Sequence, residues 1–218
     1  MPDRARHMPY FVLLEALQQP GCALCRLLSS DTRRYLDGLL YESVNDSGFR
    51  NVWLTSRGFC HRHAWMMAES ANGLGLGILY LALIERWGRR LLDEAPPAYC
   101  PVCAHEIKSL RSHVGILEGY WADPDFAAAW EVSDGFCGPH LRWCLRTTRR
   151  ADIRLSIVNL ADRRIGELVS DLRALIDSFD YQHAPVADDR VRFAWRRAIE
   201  MIAGHRDMPE TPKGWKPE

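Results

Sequence analysis

Apolar residues recur along most of the chain at steps of three and four, and no stretch alternates with the period of two that marks a half-buried strand. Leu24, Leu27, Leu28, Leu36, Leu39 and Leu40, with Asp31, Arg33 and Arg34 between them, predict a helix over Cys25–Leu40. Two short helices follow from the i,i+4 aromatic pairs Phe49/Trp53 and Phe126/Trp130, which put both rings of a pair on one face. Asp46 and Asp123 precede them as N-caps, and Pro124 takes the first helical position, where proline is tolerated best. Gly58 and Gly135 close these helices, since glycine adopts the left-handed cap conformation without penalty.

Further helices are expected near Cys60–Glu69 and Cys137–Thr147, then two long amphipathic ones over Leu74–Asp93 and Asp152–Ser178. Pro96-Pro97 breaks the chain between them. A last helix, Asp188–Ala203, stops at Gly204, and His205–Glu218, rich in proline and charge, reads as a mobile tail. The expected fold class is all-α.

The predicted elements repeat. One copy runs Cys22-x-x-Cys25, Asp46, Phe49, Trp53, Gly58-Phe59-Cys60-x-x-His63; the other runs Cys100-x-x-Cys103, Asp123, Phe126, Trp130, Gly135-Phe136-Cys137-x-x-His140. The first pair of cysteines is offset by 78 positions and every later member by 77, so a single residue separates two otherwise matching frames. This organises the chain as two helical metal-binding repeats, 8–95 and 98–180, with a C-terminal helix over 187–204 and the tail 205–218. The offset also picks the histidines. His61 aligns with Gly138, so His63 is the expected ligand; His105 and His113 align with Leu27 and Tyr35 and fall outside the shared set.

Composition narrows the chemistry. Of 218 residues, 47% are hydrophobic, enough for a real core, and 28 basic residues balance 28 acidic ones. Zero net charge argues against a broad phosphate-binding surface. Residues Met1–Glu15 lack the apolar stretch of a signal peptide, and the longest apolar run, Gly73–Ile84, falls short of the ~20 residues that a bilayer requires. A cytoplasmic location is therefore expected. In a reducing compartment, seven cysteines read first as metal ligands.

Zinc takes four tetrahedral N/S ligands, and a two-residue gap lets both members of a pair reach one ion. Each copy holds a complete Cys3His set: Cys22, Cys25, Cys60 and His63 in the first, Cys100, Cys103, Cys137 and His140 in the second. The expectation is two zinc ions per chain, one stapling each copy. A full set leaves no open coordination position, so the expected role is structural. An iron–sulfur cluster is the alternative, although the close cysteine runs usual for one are missing. Cys144, aligned with Met67, reads as an apolar helix position filled by a soft sulfur.

The residues Cys22, Cys25, Gly58-Phe59-Cys60, His63, Cys100, Cys103, Gly135-Phe136-Cys137 and His140 resemble those of uncharacterised bacterial proteins with tandem CxxC and GFCxxH motifs. The resemblance covers about residues 10 to 180 and implies paired metal sites without implying an activity. No nucleophile elbow, P-loop or HExxH is present, which favours a non-enzyme. The leading function is a zinc-stapled scaffold or protein-interaction module with a protein partner. A thiol or metal redox sensor comes next. A nucleic-acid-binding regulator is less favoured, although Arg146–Arg150 and Arg192–Arg197 are locally basic.

Overall fold

The computed structural model describes residues 6–69, 73–88, 99–179 and 188–206. Among these the secondary structure is helical throughout. The helices are α1 (Met8–Leu17), α2 (Ala23–Gly38), α3 (Ser47–Thr55), α4 (His61–Ala68), α5 (Gly73–Gly88), α6 (Pro101–Gly119), α7 (Pro124–Val132), α8 (Gly138–Thr147), α9 (Ala151–Asp177), α10 (Asp189–Arg192) and α11 (Ala194–Ala203). A π-helical turn, Leu39–Ser43, extends α2. No helix of the described residues is long and apolar enough to cross a membrane.

The local signals are met where the residues are described. Asp46 accepts the Phe49 N–H and Asp123 accepts those of Asp125 and Phe126, each satisfying amides that the first helical turn leaves free. Gly58 and Gly135 have φ of +85° and +71°. At Gly58 the site is also crowded: a Cβ would lie 3.0 Å from Leu83 and 3.3 Å from Trp53. The expected last helix is interrupted at Phe193, whose φ of −102° and ψ of 15° separate α10 from α11. The Pro96-Pro97 break, the end of the helix expected to reach Asp93 and the tail from position 207 onward lie outside the described residues.

The chain forms two compact units, and they do not follow the boundaries of the sequence repeat. Unit 1 comprises Met1–Leu27 and Leu110–Glu218; unit 2 is the intervening Leu28–Ser109. The divisions fall inside α2 and α6.

Unit 2 is built on Trp53. It is 1% exposed, donates its indole N–H to the Leu79 carbonyl at 3.1 Å and meets Phe59 and Tyr80 edge-on. Leu36, Leu39, Leu40, Val44, Met67, Leu79 and Val102 complete this core. Full burial of each large apolar side chain contributes roughly 1.5–3 kcal/mol. Here the later part of α2 runs antiparallel to the first part of α6: Ser109 bonds to Asp31, Thr32 to Glu106, and Tyr35 stacks on His105 with ring centroids 4.0 Å apart.

In unit 1 the equivalent tryptophan, Trp130, is 2% exposed and donates to Ser156 Oγ at 3.1 Å. It packs with Trp121 and Phe136. Helix α1 lies against α7, where Tyr10 donates its hydroxyl to Asp123 at 2.8 Å and Arg6 pairs with the same carboxylate. Helices α8, α10 and α11 pack on α9, whose inner face is Ile153, Ile157, Leu160, Ala161 and Leu168.

Candidate metal centres

Both GFCxxH segments are built alike. After the tryptophan, Ser56 donates to the carbonyls of Trp53 and Gly58, and Ser133 donates to that of Trp130 while accepting the Gly135 N–H. The left-handed glycine then turns the chain so that the cysteine becomes the N-cap of the next helix: Cys60 for α4 and Cys137 for α8, with nearly identical backbone angles. The CxxC pairs likewise sit at helix starts, with the carbonyls of Cys22 and Cys100 accepting the first helical bonds of α2 and α6. Every donor pair therefore lies at the positive end of a helix dipole, which favours thiolate over thiol.

The donors gather into two groups of four, within each of which all ligand atoms lie within 4.8 Å of one another: Cys22, Cys25, Cys137 and His140, and Cys60, His63, Cys100 and Cys103. This corrects the expected grouping. All eight residues named from the sequence come together, but each CxxC meets the CxxH of the other copy. Tetrahedral coordination requires four N/S donors, which one CxxC and one CxxH supply whichever copy each comes from. The first group lies wholly in unit 1 and the second wholly in unit 2. His61 and Cys144 belong to neither group. Cys144 is fully buried, and burial pushes its thiol well up.

The spacing within each group fits a single ion. Zn–S bonds of ~2.3 Å and Zn–N bonds of ~2.05 Å at tetrahedral angles set sulfurs about 3.8 Å apart and sulfur and nitrogen about 3.6 Å apart. In unit 1, His140 Nδ1 is 3.4 Å from each of the three sulfurs, and Cys25 and Cys137 sulfurs are 3.6 Å apart. In unit 2, His63 Nδ1 is 3.2, 3.6 and 3.4 Å from the sulfurs of Cys60, Cys100 and Cys103, and the Cys60 and Cys103 sulfurs are 3.8 Å apart.

Charge within the groups is strongly polarised. Hydrogen bonds from Cys103 and then His63 pull Cys100 down to about 3 against burial, while Cys103, which supplies a proton to that bond, is driven up. Burial disfavours the Cys22 thiolate, yet bonds from Cys137, Cys25 and His140 hold it well below the usual thiol range; Cys137, bonded to it, is pushed up to about 12. Each group concentrates negative charge that a bound cation would neutralise.

The two groups differ in what stands behind the histidine. In unit 2, His63 Nε2 faces Glu106 Oε1 at 3.0 Å, and that carboxylate also accepts from Arg62 and Thr32, both at 2.9 Å. Arg62 Nη1 lies 2.8 Å from Nε2 as well. A proton on Nε2 leaves that nitrogen no lone pair for arginine, so Nε2 and Arg62 both donate to Glu106. Burial opposes ionisation of Glu106, but His63 and Arg62 hold it below the usual carboxylate range. A carboxylate on the remote ring nitrogen fixes the tautomer that frees Nδ1 for metal. In unit 1, His140 Nε2 is buried with no hydrogen-bond partner among the described residues. The position aligned with Glu106 is Leu28.

Sequence reasoning missed Ser56 and Ser133, although their offset of 77 is the same as that of the cysteines they position. It also missed Thr32, Arg62 and Glu106, which converge from three different helices.

Comparison with known proteins agrees with the resemblance read from the motifs. Residues 11–96 match the model of a family of unknown function, DUF6062. The matched segment holds Cys22, Cys25, Cys60 and His63, one half of each group. A curated relative spans nearly everything: an uncharacterized 23.9 kDa protein in the xynA 3' region of Caldicellulosiruptor sp. (strain Rt8B.4) is 23% identical over 203 residues, covering 88% of this chain and 99% of that one. No solved structure matches the chain.

Proposed function

We propose that this chain is a cytoplasmic zinc-binding helical protein. Cys22, Cys25, Cys137 and His140 hold one structural zinc, Cys60, His63, Cys100 and Cys103 hold the second, and the stapled helices serve as a scaffold for protein interaction. The observation that carries the reading is the spacing of 3.2–3.6 Å from each Nδ1 to its three sulfurs, with sulfurs 3.6 and 3.8 Å apart. Donors of an iron–sulfur cluster sit on different irons and spread farther apart, so these distances favour one ion per group. Four protein donors close the coordination shell, which favours a structural over a hydrolytic role. Three thiolates, a neutral histidine and Zn2+ sum to −1, offset by two helix N-termini.

The arginines weigh against nucleic acid. Arg150 pairs with Asp152, Arg192 with Asp189, and Arg190 and Arg197 with Asp171, so much of the local basic charge is already answered. A redox-sensing role is the second reading, favoured by Cys60, the one exposed donor, whose sulfur lies 3.8 Å from that of Cys103.

The test is elemental analysis and an absorption spectrum on protein purified without added metal. Two zinc per chain and no visible absorption are expected. A coloured iron protein, or no metal at all, would overturn the reading.

A further inference from the structure

Helix α9 has a second apolar face. Beside the residues buried in unit 1, it carries Leu155, Val158, Ile165, Val169 and Ile176, followed by Phe179, all exposed, from 38% at Val158 to 84% at Phe179. With Asp162 and half-buried Leu172, these fall on one unbroken series of alternating three- and four-residue steps: 155, 158, 162, 165, 169, 172, 176, 179. That series has the spacing of a coiled-coil seam. Single exposed apolar residues are ordinary, but a seam along a 27-residue helix, about 40 Å long, marks an interaction surface.

We propose that the seam is a homodimer interface in which α9 packs antiparallel against α9 of a second copy, about a two-fold axis level with Glu167. A two-fold interface must be complementary to itself, and this seam is. Rotation about that axis sets Leu155 against Phe179, Val158 against Ile176, Ile165 against Val169, and Asp162 against Leu172 of the second copy. A parallel pair would set Asp162 against its own copy, two like charges across the seam.

In the antiparallel register Asp162 meets the edge that carries Arg173 of the second copy, the residue after Leu172. Asp162 and Arg173 are both exposed, and within the protomer neither has an ion-pair partner among the described residues. The two-fold makes two such pairs. Gly166 lies on the same edge beside the axis, where a Cβ would meet nothing in the protomer, so the backbones approach there without obstruction. The seam contains no metal-ligand residue, so it stands apart from the zinc assignment.

Sedimentation equilibrium on the purified full chain tests it. The expected species has twice the 25.0 kDa chain mass. Ile165→Glu with Val169→Glu should give a monomer with unchanged metal content and helicity, because both positions are exposed in the protomer. Asp162→Arg should weaken dimerisation about tenfold, since two equivalent pairs are reversed at once. Adding Arg173→Asp to it should restore the affinity. A wild-type monomer at every concentration, a dimer that survives the double glutamate variant, or a charge swap that fails to restore association would each overturn the proposal. Metal content is read separately, so failure here and failure of the zinc assignment are distinct.

Discussion

Substituting Cys137 by serine separates the two ways of grouping eight donors. In the crossed arrangement it breaks the unit 1 group, which ties Cys25 to Cys137 across 112 positions, and leaves the unit 2 group, which ties Cys60 to Cys103 across 43. Treated as cross-links, loops of these lengths restrict the unfolded chain by about 5 and about 4 kcal/mol. A whole domain is stable by only about 5–15 kcal/mol, so losing the longer tie is enough to loosen unit 1. Metal content should fall from two ions to one. Alkylation with iodoacetamide read by mass spectrometry should then label Cys22 and Cys25, while Cys100 and Cys103 stay protected. Cys60→Ser should give the mirror image, labelling Cys100 and Cys103. If Cys137→Ser instead exposed Cys100 and Cys103 and spared Cys22 and Cys25, the crossed grouping would be refuted.

Glu106→Gln should weaken metal binding in unit 2 by about 10–100-fold in chelator competition and leave the unit 1 ion unaffected, because of the two ligand histidines His63 alone is paired with that carboxylate. Asp46→Ala should cost about 1 kcal/mol in urea unfolding as a lost N-cap, and Asp123→Ala more, since Asp123 also holds Tyr10 and Arg6. Asp171 is partly buried, which disfavours its charge, yet Arg197 and Arg190 hold it below the usual carboxylate range. A depressed folded pKa means that its stabilisation is fully present above the ordinary value and fades as pH falls through the depressed one. Asp171→Asn should therefore flatten the acid side of the urea-midpoint profile and leave its shape near neutrality unchanged.

Much of the fold is legible in the sequence because its signals are local. An aspartate three residues before an aromatic caps a helix with its own side chain, and a glycine after a Trp-x-x-Ser segment turns left-handed wherever it stands. The eight donors were equally plain, since each two-residue gap is a local device. Their partition was not. Either CxxC satisfies either CxxH, so the choice rests on how α2, α4, α6 and α8 pack, which spacing does not encode. Glu106 was hidden for the same reason: three residues after Cys103 it looks like any solvated helical carboxylate, and only Thr32 and Arg62, 74 and 44 positions away, give it a purpose. Helix α1 escaped notice because MPYFVLLEAL is apolar on most sides and shows little periodicity. The break at Phe193 carries no sequence signal.

Crossing the donors also sets an order of events on the ribosome. Cys22 and Cys25 emerge first, and the next donors to follow are Cys60 and His63, the complete but wrong tetrahedral set. The right partners for Cys60 and His63 arrive only with Cys100, 37 positions after His63, a wait of about 2–7 s at typical elongation rates. During that interval the nascent chain holds a competent site of non-native connectivity. For a chain that binds metal as proposed, reaching the final fold requires ligand exchange, Cys22 and Cys25 handing over to Cys100 and Cys103, or metal withheld until the second half has been made. Under the zinc assignment proposed above, zinc bound early is a kinetic trap for this chain, and zinc bound late its lock.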